Sequence, residues 1–368
     1  MSYQPGKMGV AAGTAIVFTT TFTSFFLSVW SVFTDQAATA AWLVPSINAV
    51  CFLSLFWIVL YVMQRVPGDL YEVAERLLGK TGARLITLYF ITTFFIDAVL
   101  TLRQFAKNTL LTAIPSLDIS LVAGWYVLIA SFYVYLGIEP IARAAYIVLP
   151  VGLTALTLLL LGLYTKFHLY NLRPWLGDGL GVLLKSGVPS SGFYLHTFIL
   201  AILAPAFQNL RTIRTAALLG IGLTTIFRTL TLIMYMGIFS VEVGREKVLP
   251  FYEMARLIYL SRYLQRVEAF YIILWVILGL ATIAIDLYMA NYLLTRLFNL
   301  QSMRPLILPL AIIAAQLALI PADIATAIEL NVKADTIYFA AGVLVVPVVL
   351  LMANLIKGKR KAKSCATN

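Results

Sequence analysis

Long apolar runs broken by short polar segments make up most of the chain. Val122–Leu136 and Tyr146–Tyr164 carry no charged residue and show no two-residue alternation. A hydrocarbon core about 30 Å thick takes about 20 apolar residues per helical span. Backbone polar groups cannot stay open to lipid, so spans are helices or strands of a closed barrel, and a barrel would show alternating ten-residue segments. The pattern therefore predicts an all-α polytopic membrane protein of about ten spans. They fall at Gly9–Val32, Ala38–Met63, Leu85–Leu111, Ser120–Gly137, Tyr146–Thr165, Phe193–Phe207, Ala216–Ser240, Phe270–Leu294, Pro305–Ile320 and Thr336–Ile356. Residues 1–368 read as a single transmembrane domain ending in a basic tail over 357–368. The sixth span is short, and the third and eighth are long enough to tilt or protrude.

Three segments between the runs stand out. Pro67–Gly79 reads as a short amphipathic helix: Pro67 suits its start, acids sit in its early turns and Gly79 suits its stop. Lys166–Ser191 reads as a long external loop. Glu242–Val267 reads as a charged external segment whose Tyr252–Leu264 stretch can lie flat at the interface.

Composition agrees with the pattern. Hydrophobic residues make up 61% and charged residues 12%, against roughly 25% charged in soluble domains. The formal net charge of +11 would suggest nucleic acid in a soluble protein, but its placement points to topology. An even number of spans puts both termini on one side, and Lys357, Lys359, Arg360, Lys361 and Lys363 mark that side as cytoplasmic. About 15 of the 27 Lys and Arg residues then lie inside, against about 4 of the 16 acids. Cys51 and Cys365 make neither a disulfide framework nor a metal cluster. The first apolar run is too long for a signal peptide, and no small-residue cleavage site follows it.

The candidate chemistry lies in the first, third and sixth spans. The first holds Thr14, Thr19, Thr20, Thr21, Thr23, Ser24 and Ser28. Such hydroxyls either line a polar site where a helix unwinds, or bond the helix's own carbonyls and pack against neighbours. The sixth is preceded by Gly187, Pro189 and Gly192, interrupted by Pro205, and opens with Tyr194, His196 and Thr197. Interrupted spans at corresponding places in two halves are the best pointer to a transporter site, and spans one and six correspond in a five-plus-five inverted repeat. Helix N-termini at a break receive a carboxylate and free carbonyls receive an ammonium, which fits a zwitterionic amino acid. Span one offers only Gly13 and no Gly-x-Gly break. Asp97, Arg228 and Asp286 are ionisable residues within spans and count as functional candidates. Asp97 has Arg103 or Arg228 as a partner, and a structural ion pair is the alternative. His196 is a candidate proton relay. The candidate ligand contacts are Thr19, Thr20, Thr21, Thr23, Ser24, Phe94, Asp97, Tyr194, His196 and Thr197. No nucleophile–base pair, metal cluster or phosphate loop is legible, so neither an enzyme nor a cofactor is expected.

The stretch Arg262–Trp275, RYLQRVEAFYIILW, places Arg266 and Glu268 at the outer mouth of span eight with Trp275 further in. Taken with PGDLYEVAERLLGKTG at Pro67–Gly82, the glycine-then-polar start of span six, LAPAF at Leu203–Phe207 and the basic tail, it resembles the spore-germination permease family. These are the B-type subunits of nutrient germinant receptors, within the amino acid–polyamine–organocation transporter superfamily. The resemblance covers roughly Gly9 to Lys357. It implies a subunit in the inner spore membrane that binds a small nutrient, most often an amino acid, and triggers germination. It also implies A-type and C-type subunits as partners, and structural or gating roles for Arg266, Glu268, Trp275 and Pro205. The family often carries an acidic residue near His196–Thr197, where this chain is neutral or weakly basic. An H⁺- or Na⁺-coupled amino-acid transporter and an ion or water conduit are the alternatives.

Overall fold

The computed structural model describes residues 8–27, 29–259 and 267–366. Ser28 and Arg266 lie outside them, as does the 260–264 part of the stretch expected to lie flat. The described residues are almost entirely helical, with one isolated bridge between Met8 and Phe207.

Ten spans account for the helices. The first is split into α1 (Val10–Thr23) and α2 (Val29–Ala37), and the second is α3 (Val44–Arg65). Then come α4 (Leu70–Thr112), α5 (Ile119–Leu136) and α6 (Ile138–Gly162). The sixth is assembled from α7 (Leu180–Gly187), a 3-10 stretch over Pro189–Thr197, and α8 (Phe198–Ile202). The seventh is α9 (Leu210–Arg245), followed by the short α10 (Pro250–Arg256). The eighth and ninth are α11 (Glu268–Leu297) and α12 (Arg304–Ala318). The tenth joins α13 (Ile324–Lys333) to α14 (Ala340–Ala366) through a π-helical stretch over Ala334–Phe339. Among the described residues, seven helical runs are long and apolar enough to cross a membrane unaided. The 14 residues of α1 rise only about 21 Å, short of the hydrocarbon core, so the first span needs both its pieces.

Polar caps set the helix starts. Asp69 accepts from the Glu72 amide at 3.0 Å, and Asn209 from the Thr212 amide at 2.8 Å. The amphipathic helix expected over Pro67–Gly79 therefore begins at Leu70 and ends in a kink at Gly79, whose φ of +80° suits glycine. Asp118 and Asp323 cap α5 and α13 outside the spans. Hydroxyl and amide donors of Ser120 hold the Asp118 carboxyl below its usual range, and the Thr326 amide does the same for Asp323.

α1 packs chiefly on α9, and α11 on α4. The first pair is close because Gly220 faces Val17, where an added Cβ would stand 2.7 Å from the valine side chain. Small residues of this kind let spans approach where burial in lipid gives no hydrophobic drive.

Two expectations change. The Lys166–Ser191 segment is loop only in its first half: from Leu180 it holds α7, which leads into span six. The tenth span starts a dozen residues before Thr336, which brings Asn331 and Asp335 inside the protein.

Candidate functional site

The break in span one follows the hydroxyl-rich turn instead of running through it. Thr20 donates to Ile16 O at 2.8 Å, Thr21 to Val17 O at 2.5 Å and Thr23 to Thr19 O at 2.6 Å. These bonds satisfy the hydroxyls within α1, which stays wound through Thr23. The helix then tightens to 3-10 over Ser24–Phe26, and Leu27 turns extended (φ −87°, ψ −170°). Protein donors take up the carbonyls freed there: Arg228 donates to Thr21 O and, at 2.8 Å, to Ser24 Oγ, while Trp30 Nε1 donates to Phe25 O. The Arg228 guanidinium is fully buried, with the Tyr194, Phe25 and Phe193 rings 5.2, 5.6 and 6.0 Å away.

Span six meets span ten at backbone distance. A Cβ on Gly192 would stand 1.9 Å from Asp335 O, so only glycine fits where the 3-10 stretch crosses the π stretch. A π insertion shifts the register of the side chains around it. Here Asp335 is buried and accepts from Asn331 Nδ2 at 2.7 Å.

Three ionisable side chains from three spans meet beside this crossing. His196 Nε2 lies 2.9 Å from Asp286 Oδ1 and 3.2 Å from Asp97 Oδ2. The Phe94 ring stands edge-on to the imidazole with centroids 6.0 Å apart. All four residues are buried. Between them and the break of span one is a small closed hollow. Thr20, Thr23 and Ser24 form one wall, Asp97 and His196 another, and Asn331 and Asp335 a third. Its volume is ≈ 10 Å³, room for about one water. Thr23 and Thr282, 2.9 Å apart, join α1 to α11 at its edge.

Of the residues singled out in the sequence, Thr20, Thr23, Ser24, Asp97 and His196 come together at the hollow, with Phe94 behind the imidazole. Other described candidates lie away from it. Thr19 is buried in the helix, Thr21 bonds Thr224 at 2.9 Å, and Tyr194 bonds Thr225 at 2.8 Å beneath Arg228. Thr197 is buried off the hollow. Pro205 sits in the turn ending span six, where Ala206 O accepts from the Met8 amide at 2.8 Å. Trp275 is buried on α11 near Tyr252, and Glu268 opens that helix in a buried position. The partner of Asp97 is His196. Arg103 instead donates to Pro321 O at 2.6 Å, and Arg228 turns to span one.

Asn331 and Asp335 were not foreseen. Glu329 and Lys333 pair at 2.5 Å on the exposed face of α13 and make the segment read as extramembrane. The signal was present in the four-residue spacing of Asn331 and Asp335, which places both on the opposite, inward face.

Comparison with known proteins agrees with this architecture. Residues 8–327 match the profile of a family described as spore germination protein. Spore germination protein YndE of Bacillus subtilis (strain 168) is 25% identical over 299 residues, covering 80% of this chain and 82% of that protein. Spore germination protein KB of the same organism is 21% identical over 259 residues, 69% of each chain. Among solved structures, Mhp1, a nucleobase-cation-symport-1 family transporter with bromovinylhydantoin bound, superposes with a TM-score of 0.67 at 14% identity, covering 96% of this chain and 91% of its own. MhsT in complex with L-phenylalanine superposes at 0.65 and 14% identity, covering 96% and 99%. At such identities these likenesses establish the fold, that of multi-span transporters. The profile over most of the chain, on a transporter fold broken in its first and sixth spans, makes this protein a member of the spore germination permease family.

Proposed function

We propose that the protein is the membrane subunit of a spore nutrient germinant receptor. It binds a small nutrient, an amino acid first of all, in the hollow between spans one, six and ten. The observation that carries this reading is the enclosed polar wall at the break of span one. There, the Asp335 carboxylate and the unpartnered Asn331 Oδ1 face the hydroxyls of Thr20 and Ser24. A carboxylate and an amide oxygen in a buried setting suit an ammonium. MhsT, which shares the fold, holds L-phenylalanine.

The hollow as it stands is smaller than any amino acid, so binding requires a second state in which span one or six draws back from span ten. A ligand moves such an equilibrium only by binding one state better than the other. Closing over a guest thus becomes the signal, passed to A-type and C-type subunits in the inner spore membrane, with both termini cytoplasmic. The names of the relatives, germination proteins KB and YndE, support the receptor role.

The test is direct binding of an amino-acid panel to purified protein in nanodiscs. One or a few amino acids bind the wild type, and Asp335→Asn weakens them by at least about tenfold, equivalent to about 1.4 kcal/mol. A panel without any binder, or equal affinity in Asp335→Asn, rejects the site. The ionisable trio beside the hollow favours a second reading, a coupled amino-acid transporter. Accumulation of labelled amino acid against its gradient in proteoliposomes supports that reading, and binding without flux supports the sensor.

A further inference from the structure

We propose that Asp97, His196 and Asp286 form a binding site for one divalent first-row transition ion of the Mn²⁺ or Zn²⁺ class. Each residue offers one ligand atom, and the three atoms lie within 4.8 Å of one another although they come from α4, span six and α11. The two His196 contacts, 2.9 and 3.2 Å, have the length of edges between neighbouring ligands. Metal–ligand bonds of about 2.0–2.2 Å put adjacent ligands about 2.8–3.1 Å apart in octahedral geometry and about 3.3–3.6 Å apart in tetrahedral geometry.

The chemistry of the cluster also calls for a cation. Both carboxylates converge on the same imidazole nitrogen. A single N–H there has one proton for two buried anions. Asp286 is fully buried, and its Oδ2 has no partner among the described residues. Buried carboxylates are ordinarily paired or coordinated to a metal. An ion in place of that proton meets the imidazole lone pair and both carboxylates at once. The adjoining hollow has room for about one water, a fourth, exchangeable ligand. One imidazole with two carboxylates suits Mn²⁺, Fe²⁺, Co²⁺ or Zn²⁺, whereas Ca²⁺ and Mg²⁺ prefer oxygen-only shells.

This site is separate from the nutrient reading, which assigns the ammonium to Asp335 and Asn331. The ion also gives the nutrient site a rigid back wall, because it ties together three helices that meet there.

The experiment is a titration of chelator-stripped protein in nanodiscs with MnCl₂, following free Mn²⁺ by electron paramagnetic resonance, and with ZnCl₂ by equilibrium dialysis. The expected result is saturable uptake of one ion per chain, with Zn²⁺ displacing Mn²⁺ and equimolar CaCl₂ or MgCl₂ failing to do so. His196→Ala and Asp286→Asn weaken uptake by more than about tenfold. Size-exclusion profiles check that each variant is intact, and Asp97→Asn is the alternative if either is not. As a second readout on the wild type, MnCl₂ raises the melting temperature in a saturable way. Absence of stoichiometric uptake by the wild type overturns the proposal. So does uptake unaltered in intact variants, or displacement by Ca²⁺ as readily as by Zn²⁺. Amino-acid binding to the same stripped protein, with chelator present, is scored separately, so the nutrient reading can fail while the ion site stands.

Discussion

Arg228 illustrates how a single residue holds the break open. Its guanidinium stands where the carbonyls of α1 lose their helical partners, donating to Thr21 O and Ser24 Oγ under three aromatic rings. A buried cation is retained only where such acceptors are fixed. Arg228→Ala leaves Thr21 O without that donor and is expected to cost roughly 3 kcal/mol, seen as a lowered melting temperature in detergent. Arg228→Lys should recover little of it, because a point-like ammonium does not reproduce the planar fork. Full recovery by lysine would mean that charge alone matters and not the shape of the donor set.

At the scale of elements, span six is tight and span ten is loosened at the same level. The 3-10 stretch Pro189–Thr197 presses its backbone against the π stretch Ala334–Phe339 through Gly192. Gly192→Ala cannot be accommodated unless the two segments separate, so it should lower the melting temperature and reduce amino-acid binding together. Gly79→Ala serves as the control. Its φ of +80° makes alanine costly there by roughly 1 kcal/mol, yet nothing stands within 4 Å of the added Cβ. It should destabilise and leave binding alone. If the two variants behave alike, the crossing has no special part in binding.

Across the whole molecule, the spans are tied at their ends as well as at the centre. Arg296 at the end of α11 pairs with Asp69 and, at 3.3 Å, with Glu72, both on the segment before the Gly79 kink. Asp69 is 1% exposed and Glu72 is 43% exposed on their side chains, so the Asp69 pairing carries most of the tie. Exposed pairs are worth little. A tie between α11 and the start of α4 is expected to favour the state in which the hollow is closed. Arg296→Ala is expected to populate the open state. In a Cys51→Ser, Cys365→Ser background, a cysteine placed by Ser24→Cys should then react faster with a soluble thiol reagent. Equal labelling rates with and without Arg296 would show that the tie does not control opening.

Hydropathy is a one-dimensional property, so the sequence by itself determined the membrane class, the helical fold and the presence of anomalies in spans one and six. The stretch Thr20–Ser24 and the glycine-then-polar run at Gly192–His196 marked those anomalies, because hydroxyls and glycines in a span have few purely apolar uses. The sequence did not determine which polar groups meet. Asp97, His196 and Asp286 lie 90 or more positions apart, and only the crossing of three helices brings their ligand atoms within hydrogen-bonding reach. The same holds for Thr21 and Thr197, which have the right chemistry but do not line the hollow. Asp335 was masked by the exposed Glu329–Lys333 pair just before it, although its four-residue spacing from Asn331 places both on the inward face. Local sequence fixes how each segment sits in lipid, since that depends on its own side chains. The site exists only where several segments dehydrate one another's polar groups, and that depends on all of them at once.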